Sequence, residues 1–237
     1  MKKVTLKDIG SEELIKKYAR ELDAGIYTYD VGAPITSIQF NGYDSTTYAN
    51  TCTEIVKLNT YGITTTRKMF YQCESLKTLD VSDWDTTHVD DMYYMFSCCK
   101  NLVEINGLNN LDTSNVTNME GIFEACNSLV ELNISNWDVS NATNVNSLFK
   151  DCYSLTSLNI SNWDVKNVTN IGYIFSYCKS LTTLNLSNWN LKESVSNFYP
   201  FNGCTSLHTL RLDNCNNTTI SKIITSAGFP TNAITGA

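Results

Sequence analysis

Residues 149–168 read FKDCYSLTSLNISNWDVKNV. The stretch opens on a Phe-x-x-Cys pair with Leu three residues after the Cys. The same spacing recurs at Phe70/Cys73, Phe96/Cys99, Phe123/Cys126, Phe149/Cys152, Phe175/Cys178 and Phe201/Cys204. Successive phenylalanines lie 26, 27, 26, 26 and 26 residues apart. A fixed period of this length marks stacked supersecondary units, each needing its neighbours to bury its apolar face. The expected fold class is an α/β repeat solenoid.

Each regular turn divides into two halves. In Leu129-Val-Glu-Leu132-Asn-Ile134 apolar and polar residues alternate, which predicts a short strand with Leu132 and Ile134 facing inward. The half recurs at Leu76/Leu79/Val81, Leu155/Leu158/Ile160, Leu181/Leu184/Leu186 and Leu207/Leu210/Leu212. In the other half the period changes. Met119, Ile122, Phe123 and Cys126 fall at i, i+3, i+4 and i+7, as do Ile171, Ile174, Phe175 and Cys178, which predicts one face of a short helix. Thr117-Asn118 and Thr169-Asn170 suit helix starts. The expected turn is therefore one short strand plus one short helix per 26 residues, with the strands in one stacked parallel sheet.

Trp84, Trp137, Trp163 and Trp189 each follow a landmark cysteine by 11 residues, and Cys215 takes that slot in the last turn. Their periodicity reads as core packing between strand and helix, with an exposed sugar-stacking platform as the alternative. The stretch Ile105-Asn106-Gly107-Leu108-Asn109-Asn110-Leu111 holds one residue more than its equivalents, which accounts for the single spacing of 27 and predicts a bulge.

The array divides the chain into a segment 1–30, a solenoid 31–212 that is regular from about residue 63, and a closing segment 213–237. Ser11 followed by Glu12-Glu13 and the apolar set Leu14, Ile15, Tyr18, Ala19 and Leu22 predicts an amphipathic helix over 11–24. It reads as a cap on the open end of the array, or as a docking peg for another protein. Ile35 to Phe40 and Cys52 to Leu58 read as degenerate copies of the strand half, with a turn at Asn41-Gly42. Ile220, Ile223 and Ile224 predict a closing helix ending at Gly228 before Pro230, and residues 231–237 read as a frayed tail.

Composition narrows the function classes. The formal net charge is −7 and the pI about 4.8, with no basic stripe to neutralise phosphates, so no nucleic-acid partner is expected. Lys2, Lys3, Lys7, Lys16, Lys17 and Arg20 alternate with acids and suit a solvated helix face. No apolar run is long enough to span a membrane, so no direct membrane insertion is expected, and Lys7-Asp8 breaks any secretory apolar region. Of nine cysteines, six form the landmark column. They read as stacked small hydrophobes, and Cys98-Cys99 has no second pair or histidine cluster to complete a zinc site. No metal and no cofactor are expected.

The phrase Met-Phe-x-x-Cys-x-Ser-Leu-x-x-Leu-x-Ile-Ser-x-Trp-Asp-x-Ser-x-Val-Thr-Asn-Met, covering roughly residues 63–212, resembles the BspA-type leucine-rich repeat. It is also similar to the 26-residue repeat of mycoplasma surface lipoproteins. The resemblance implies a leucine-rich-repeat-like solenoid and a role in attachment at a cell surface, with no shared enzymatic activity. Similar repeats in phage-encoded proteins imply the alternative of a virion structural or host-attachment protein anchored through residues 1–30. The expected location is a cell surface or virion.

The strands set two polar columns on the outer sheet face. One holds Asp80, Asn106, Asn133, Asn159, Asn185 and Arg211; the other holds Thr78, Glu104, Glu131, Ser157, Thr183 and Thr209. Such a surface suits hydrogen bonding to a protein or a glycan, although a hydrated polar face needs no ligand. The sequons at Asn133 and Asn159 recur because the repeat does. His88 lies near Asp85, Asp90, Asp91 and Ser97, but no nucleophile elbow, phosphate loop or His-Glu-x-x-His helix is present, and no catalysis is expected.

Overall fold

The structure, a computed structural model, describes residues 60, 62–195 and 199–226, and the backbone of strands at 5–7, 26–30, 54–58 and 234–235. The strands are β1 (Thr5–Lys7), β2 (Ile26–Asp30), β3 (Glu54–Leu58), β4 (Thr78–Asp80), β5 (Glu104–Asn106), β6 (Ser157–Asn159), β7 (Thr183–Asn185), β8 (Thr209–Arg211) and β9 (Ile234–Thr235). Helix α1 (Asn217–Ile224) lies between β8 and β9. Every pairing between them is parallel, because the chain returns to the same side before laying down the next strand.

The strands form two sheets rather than the single stack expected, in the orders β1-β2-β3-β4-β5 and β6-β7-β8-β9. The break falls at residues 131–133, which form no strand. The preceding coil carries the extra residue. It is absorbed where the bulge is expected, by Gly107 at φ 76° and a 3₁₀ turn over Leu108–Asn110. The next coil is left out of step. Leu132 is only partly buried. The indole N–H groups of Trp137 and Trp189 donate to carbonyls 29 residues back, Leu108 at 2.9 Å and Ile160 at 3.0 Å. The counterpart of Trp163 would be Ile134, yet its Nε1 is buried without a partner.

The expected helix in each turn is not there. Residues 119–126 and their equivalents form successive tight turns. Alternate N–H groups leave the coil: Met119, Gly121, Phe123 and Ala125 donate to Asn144, Asn146, Leu148 and Lys150 at 2.8–3.0 Å. Between them, Glu124 donates to Gly121 and Cys126 to Phe123 at 3.0 Å, closing i−3 turns, while Glu120 donates to the Asn118 side chain at 3.2 Å. Every fourth residue takes positive φ, as at Gly121 (60°), Ala125 (57°), Ser147 (55°) and Asp151 (61°). That interrupts any right-handed run. A four-residue unit used twice reproduces the i, i+3, i+4, i+7 spacing of a helix, which is why the sequence reads as one.

The core is layered as the repeat requires. The six landmark phenylalanines are fully buried and stack ring on ring, with centroids 5.6–6.1 Å apart and planes within 15°. Trp84, Trp137, Trp163 and Trp189 are buried, so they are packing residues and not platforms for a sugar.

The cysteine column does more than fill space. Cys99, Cys126, Cys152, Cys178 and Cys204 donate their thiols to the carbonyls of Phe70, Phe96, Phe123, Phe149 and Phe175 at 3.0–3.1 Å. Burial pushes these thiols up, that of Cys204 to about 12. A raised value in the folded state leaves the stability contribution complete below the ordinary thiol value of 9.0 and loses it as pH rises above that. An aromatic disulfide reagent should therefore spare the six landmark cysteines of the native protein and titrate them only after denaturation. Cys98 and Cys215, both partly exposed, react first. Rapid native-state modification of the whole column would refute the packing.

The ends differ from the sequence reading. Segment 1–30 supplies two parallel strands to the first sheet, so it is not a purely helical cap; the helix expected over 11–24 lies outside the described residues. The second degenerate copy forms β3, while Ile35 to Phe40 and Asn41-Gly42 also fall outside. Helix α1 is capped by Asn216, whose side chain accepts from the Thr219 N–H at 2.8 Å. It stops at Ile224 with Thr225 as C-cap, before Gly228. Ile234 and Thr235 pair with Leu210 and Arg211, so this part of the tail extends the second sheet and is not frayed.

Candidate functional site

The strands bring most of the candidate residues together. In the second sheet Ser157, Thr183 and Thr209 are register partners, as are Asn159, Asn185 and Arg211. In the first, Thr78 lies beside Glu104 and Asp80 beside Asn106. Glu131 and Asn133 are exposed but stand on the coil between the sheets, outside both ladders. The candidate face is thus two polar fields and an irregular gap.

Part of this column is structural. The Oδ1 of Asn133, Asn159 and Asn185 accepts from the backbone N–H two residues on, at 3.5, 3.3 and 3.1 Å. Asp80 does the same with Ser82 at 2.9 Å and also accepts from its hydroxyl. Those two bonds hold the Asp80 carboxyl below its ordinary value. Each side chain closes the Asx turn that leads out of its strand. Arg211 pairs with Asp213 at 3.0 Å. What the asparagines leave for solvent is the Nδ2 group, without a partner among the described residues, so the face offers hydrogen-bond donors at Asn159 and Asn185, one strand apart, and at Asn133 on the coil between the sheets.

Much of the remaining polar surface is also committed. Asn115, Asn141 and Asn167 donate their amides to the carbonyls of Thr87, Ser114 and Ser140 in the preceding coil, at 2.7–2.8 Å. Thr143 and Thr169 repeat this with Thr117 and Thr143. Near His88, the Asp85 carboxylate is held by the hydroxyl and N–H of Thr87, and Ser97 is buried while His88 is exposed. Among the described residues no group of three or more His, Cys, Asp or Glu could hold a metal ion, and no helix is long and apolar enough to cross a membrane.

The other long side of the coils carries a feature that the sequence reading missed. Tyr173, Tyr177 and Tyr199 are 43, 40 and 42 % exposed, and Tyr153, also exposed, carries the Lys179 ammonium 4.5 Å from its ring centroid. The signal was available: Tyr173 and Tyr199 each stand two residues before a landmark phenylalanine, and Tyr177 two after. Nearer the N-terminus the same side holds Tyr71, Tyr93 and Tyr94. There the rings stack on one another, Arg67 lies 4.0 Å from the Tyr93 centroid and Lys68 lies 5.2 Å from that of Tyr71.

The model of the family described as "Mycoplasma protein of unknown function, DUF285" matches residues 36–105 and 97–214, most of the chain. No curated protein matches the sequence. Among solved structures, a leucine-rich-repeat protein of T. pallidum is similar at 16% identity and a TM-score of 0.42, covering 89% of this chain and 90% of that one.

Proposed function

This chain belongs to the DUF285 family, and from that premise we propose that it is a non-catalytic binding module that holds a protein or glycan of a cell surface against its strand face. In this reading the coils form one leucine-rich-repeat-like solenoid, and its role is attachment. The observation that carries it is the set of asparagine amides at 133, 159 and 185. Their oxygens are tied into Asx turns while their Nδ2 groups remain available. Donors fixed in this way pay little ordering entropy when a ligand arrives.

Asp80 supplies the design of the test, because it closes the same turn with a carboxylate. Asn133→Asp, Asn159→Asp and Asn185→Asp together keep the turn acceptors and replace three donors by three negative charges. Stacked like charges cost a few tenths to about 1 kcal/mol per pair, so the variant should fold. Retention on arrays of glycans and cell-envelope proteins should fall at least tenfold, with circular dichroism unchanged. Undiminished retention by a folded triple variant would remove the strand face from the binding role.

A further inference from the structure

We infer that Tyr173, Tyr177 and Tyr199, with Asp151 and Asn202, form a second binding surface, one that takes a neutral carbohydrate. It lies on the turn side of the coils and does not depend on the strand face.

The rings are held, not loose. Tyr177 lies across Gly203: a Cβ on that glycine would stand 2.5–3.1 Å from three of the ring atoms. The Tyr177 hydroxyl accepts from Asn202 Nδ2 at 3.4 Å. One side of the ring is thus occupied by backbone, and its remaining surface leaves the residue 40 % exposed. Tyr173 and Tyr199, one coil apart, stack at 5.8 Å with planes 22° apart. The backbone of Tyr177 is itself in the left-handed region at φ 62°, a conformation uncommon for a bulky residue. Glycine stands at the equivalent place one coil later and alanine two coils earlier. The same φ recurs at Gln72, Cys98, Ala125 and Asp151, so the left-handed turn belongs to the repeat and fixes where the Tyr177 ring leaves the backbone.

The polar surroundings select the ligand class. Asp151 occupies the position before Tyr177 in the same column, and its N–H donates to the Ser176 carbonyl at 2.8 Å. Its carboxylate pairs with Lys150 at 3.4 Å. An aromatic platform beside a carboxylate and an amide matches a sugar ring, whose C–H face stacks on the aromatic ring while its hydroxyls reach the polar groups. Asp151 and the chain's net charge of −7 disfavour a phosphate-bearing ligand. A protein partner would be met by a patch with an aliphatic centre. Among the described residues the other large exposed apolar side chains, Val103, Val130 and Ile224, belong to the strand-side corner and to helix α1, so tyrosine rings supply the apolar surface here.

The test uses the full chain on an array of neutral glycans, with saturation-transfer NMR on the hits. The wild type should retain a subset of neutral glycans and transfer saturation from tyrosine ring protons. Tyr173→Ala with Tyr177→Ala should lower retention at least tenfold, and Gly203→Ala, which displaces the Tyr177 ring, should lower it with every tyrosine present. Saturation transfer from tyrosine ring protons to these hits should vanish in the double tyrosine variant and persist in the triple Asn→Asp variant, whatever that variant loses in total array retention, which separates failure here from failure of the strand-face reading. Far-ultraviolet circular dichroism and melting temperature establish that each variant is folded. The inference is overturned if no neutral glycan is retained, if folded tyrosine variants bind as the wild type does, or if the tyrosines prove to hold only a protein or a second copy of the chain.

Discussion

Replacing Phe149 by alanine is expected to remove about 3–5 kcal/mol of stability, the usual loss for a large buried ring in a core that cannot collapse around the gap. Phe149 is fully buried and is held on three sides. Phe123 and Phe175 stack on it at 5.9 Å with planes 4° and 1° apart, and Trp163 lies at 6.3 Å. A loss of this size is a large share of the 5–15 kcal/mol that a folded domain commonly has. The gap sits in mid-array, so it also weakens the coils on both sides, which depend on each other for their apolar contacts. Urea unfolding should show the midpoint falling sharply. Phe149→Leu, which keeps most of the volume, should lose less than half as much. A Phe149→Ala loss below 1 kcal/mol would mean that the ring stack contributes little.

Gly107→Ala is the second large effect, and it acts through backbone. A Cβ at this position would stand 2.4 Å from Ser82 Cα and 2.5 Å from Ser82 N. Neither atom belongs to a flexible side chain, so one coil must move away from the other. The residue also has φ 76°, where any L side chain costs roughly 1–2 kcal/mol. Overpacking adds about 1–3 kcal/mol. The movement would pull on the bond from the Val81 N–H to the Asn106 carbonyl, 2.9 Å long at the end of the β4–β5 pairing. The expected loss is thus about 2–5 kcal/mol, with faster amide exchange in β4 and β5. Ala125→Gly, at φ 57°, provides the contrast and should be neutral or mildly stabilising. If both substitutions are neutral, the close approach of the two coils is not the constraint described here.

The layers of the core were legible in the sequence because burial repeats. Phe149, Cys152, Leu155, Leu158, Ile160 and Trp163 recur at a fixed interval, and each is buried. The backbone of the turn half was not legible. Met119, Ile122, Phe123 and Cys126 face inward on a helix and on paired four-residue turns alike, and periodicity cannot separate the two. The fate of the polar residues was hidden for a different reason. Asn115, Asn141 and Asn167 look like surface solubilisers, but their partners are carbonyls 26 residues or more away in the chain. Composition shows that an amide is polar and not whether water or backbone satisfies it. Of the strand-face asparagines Asn106, Asn133 and Asn159 are exposed and Asn185 is half-buried, and the turn-closing duty of Oδ1 emerges only when the bend after each strand is seen. The tyrosines on the other side carry no fixed period: Tyr94, Tyr173 and Tyr199 stand two residues before a landmark phenylalanine, while the coils of Phe123 and Phe149 have Gly121 and Ser147 there.

The thiol ladder has a consequence for how the array can change length. Each landmark cysteine reaches back to the phenylalanine carbonyl of the coil before it, and each coil offers the next an identical carbonyl. The joint between any two regular coils is therefore the same joint. Excising residues 149–174 would bring Cys178 to the carbonyl of Phe123, and duplicating them would insert a coil whose two ends already fit. Whole units can be gained or lost by recombination at almost no cost to the fold, whereas a change of one residue, as in the coil holding Gly107, breaks a sheet and leaves an indole unpaired. Variation in such a protein is channelled into the number of coils and into the few side chains that neither the core nor the ladders have claimed.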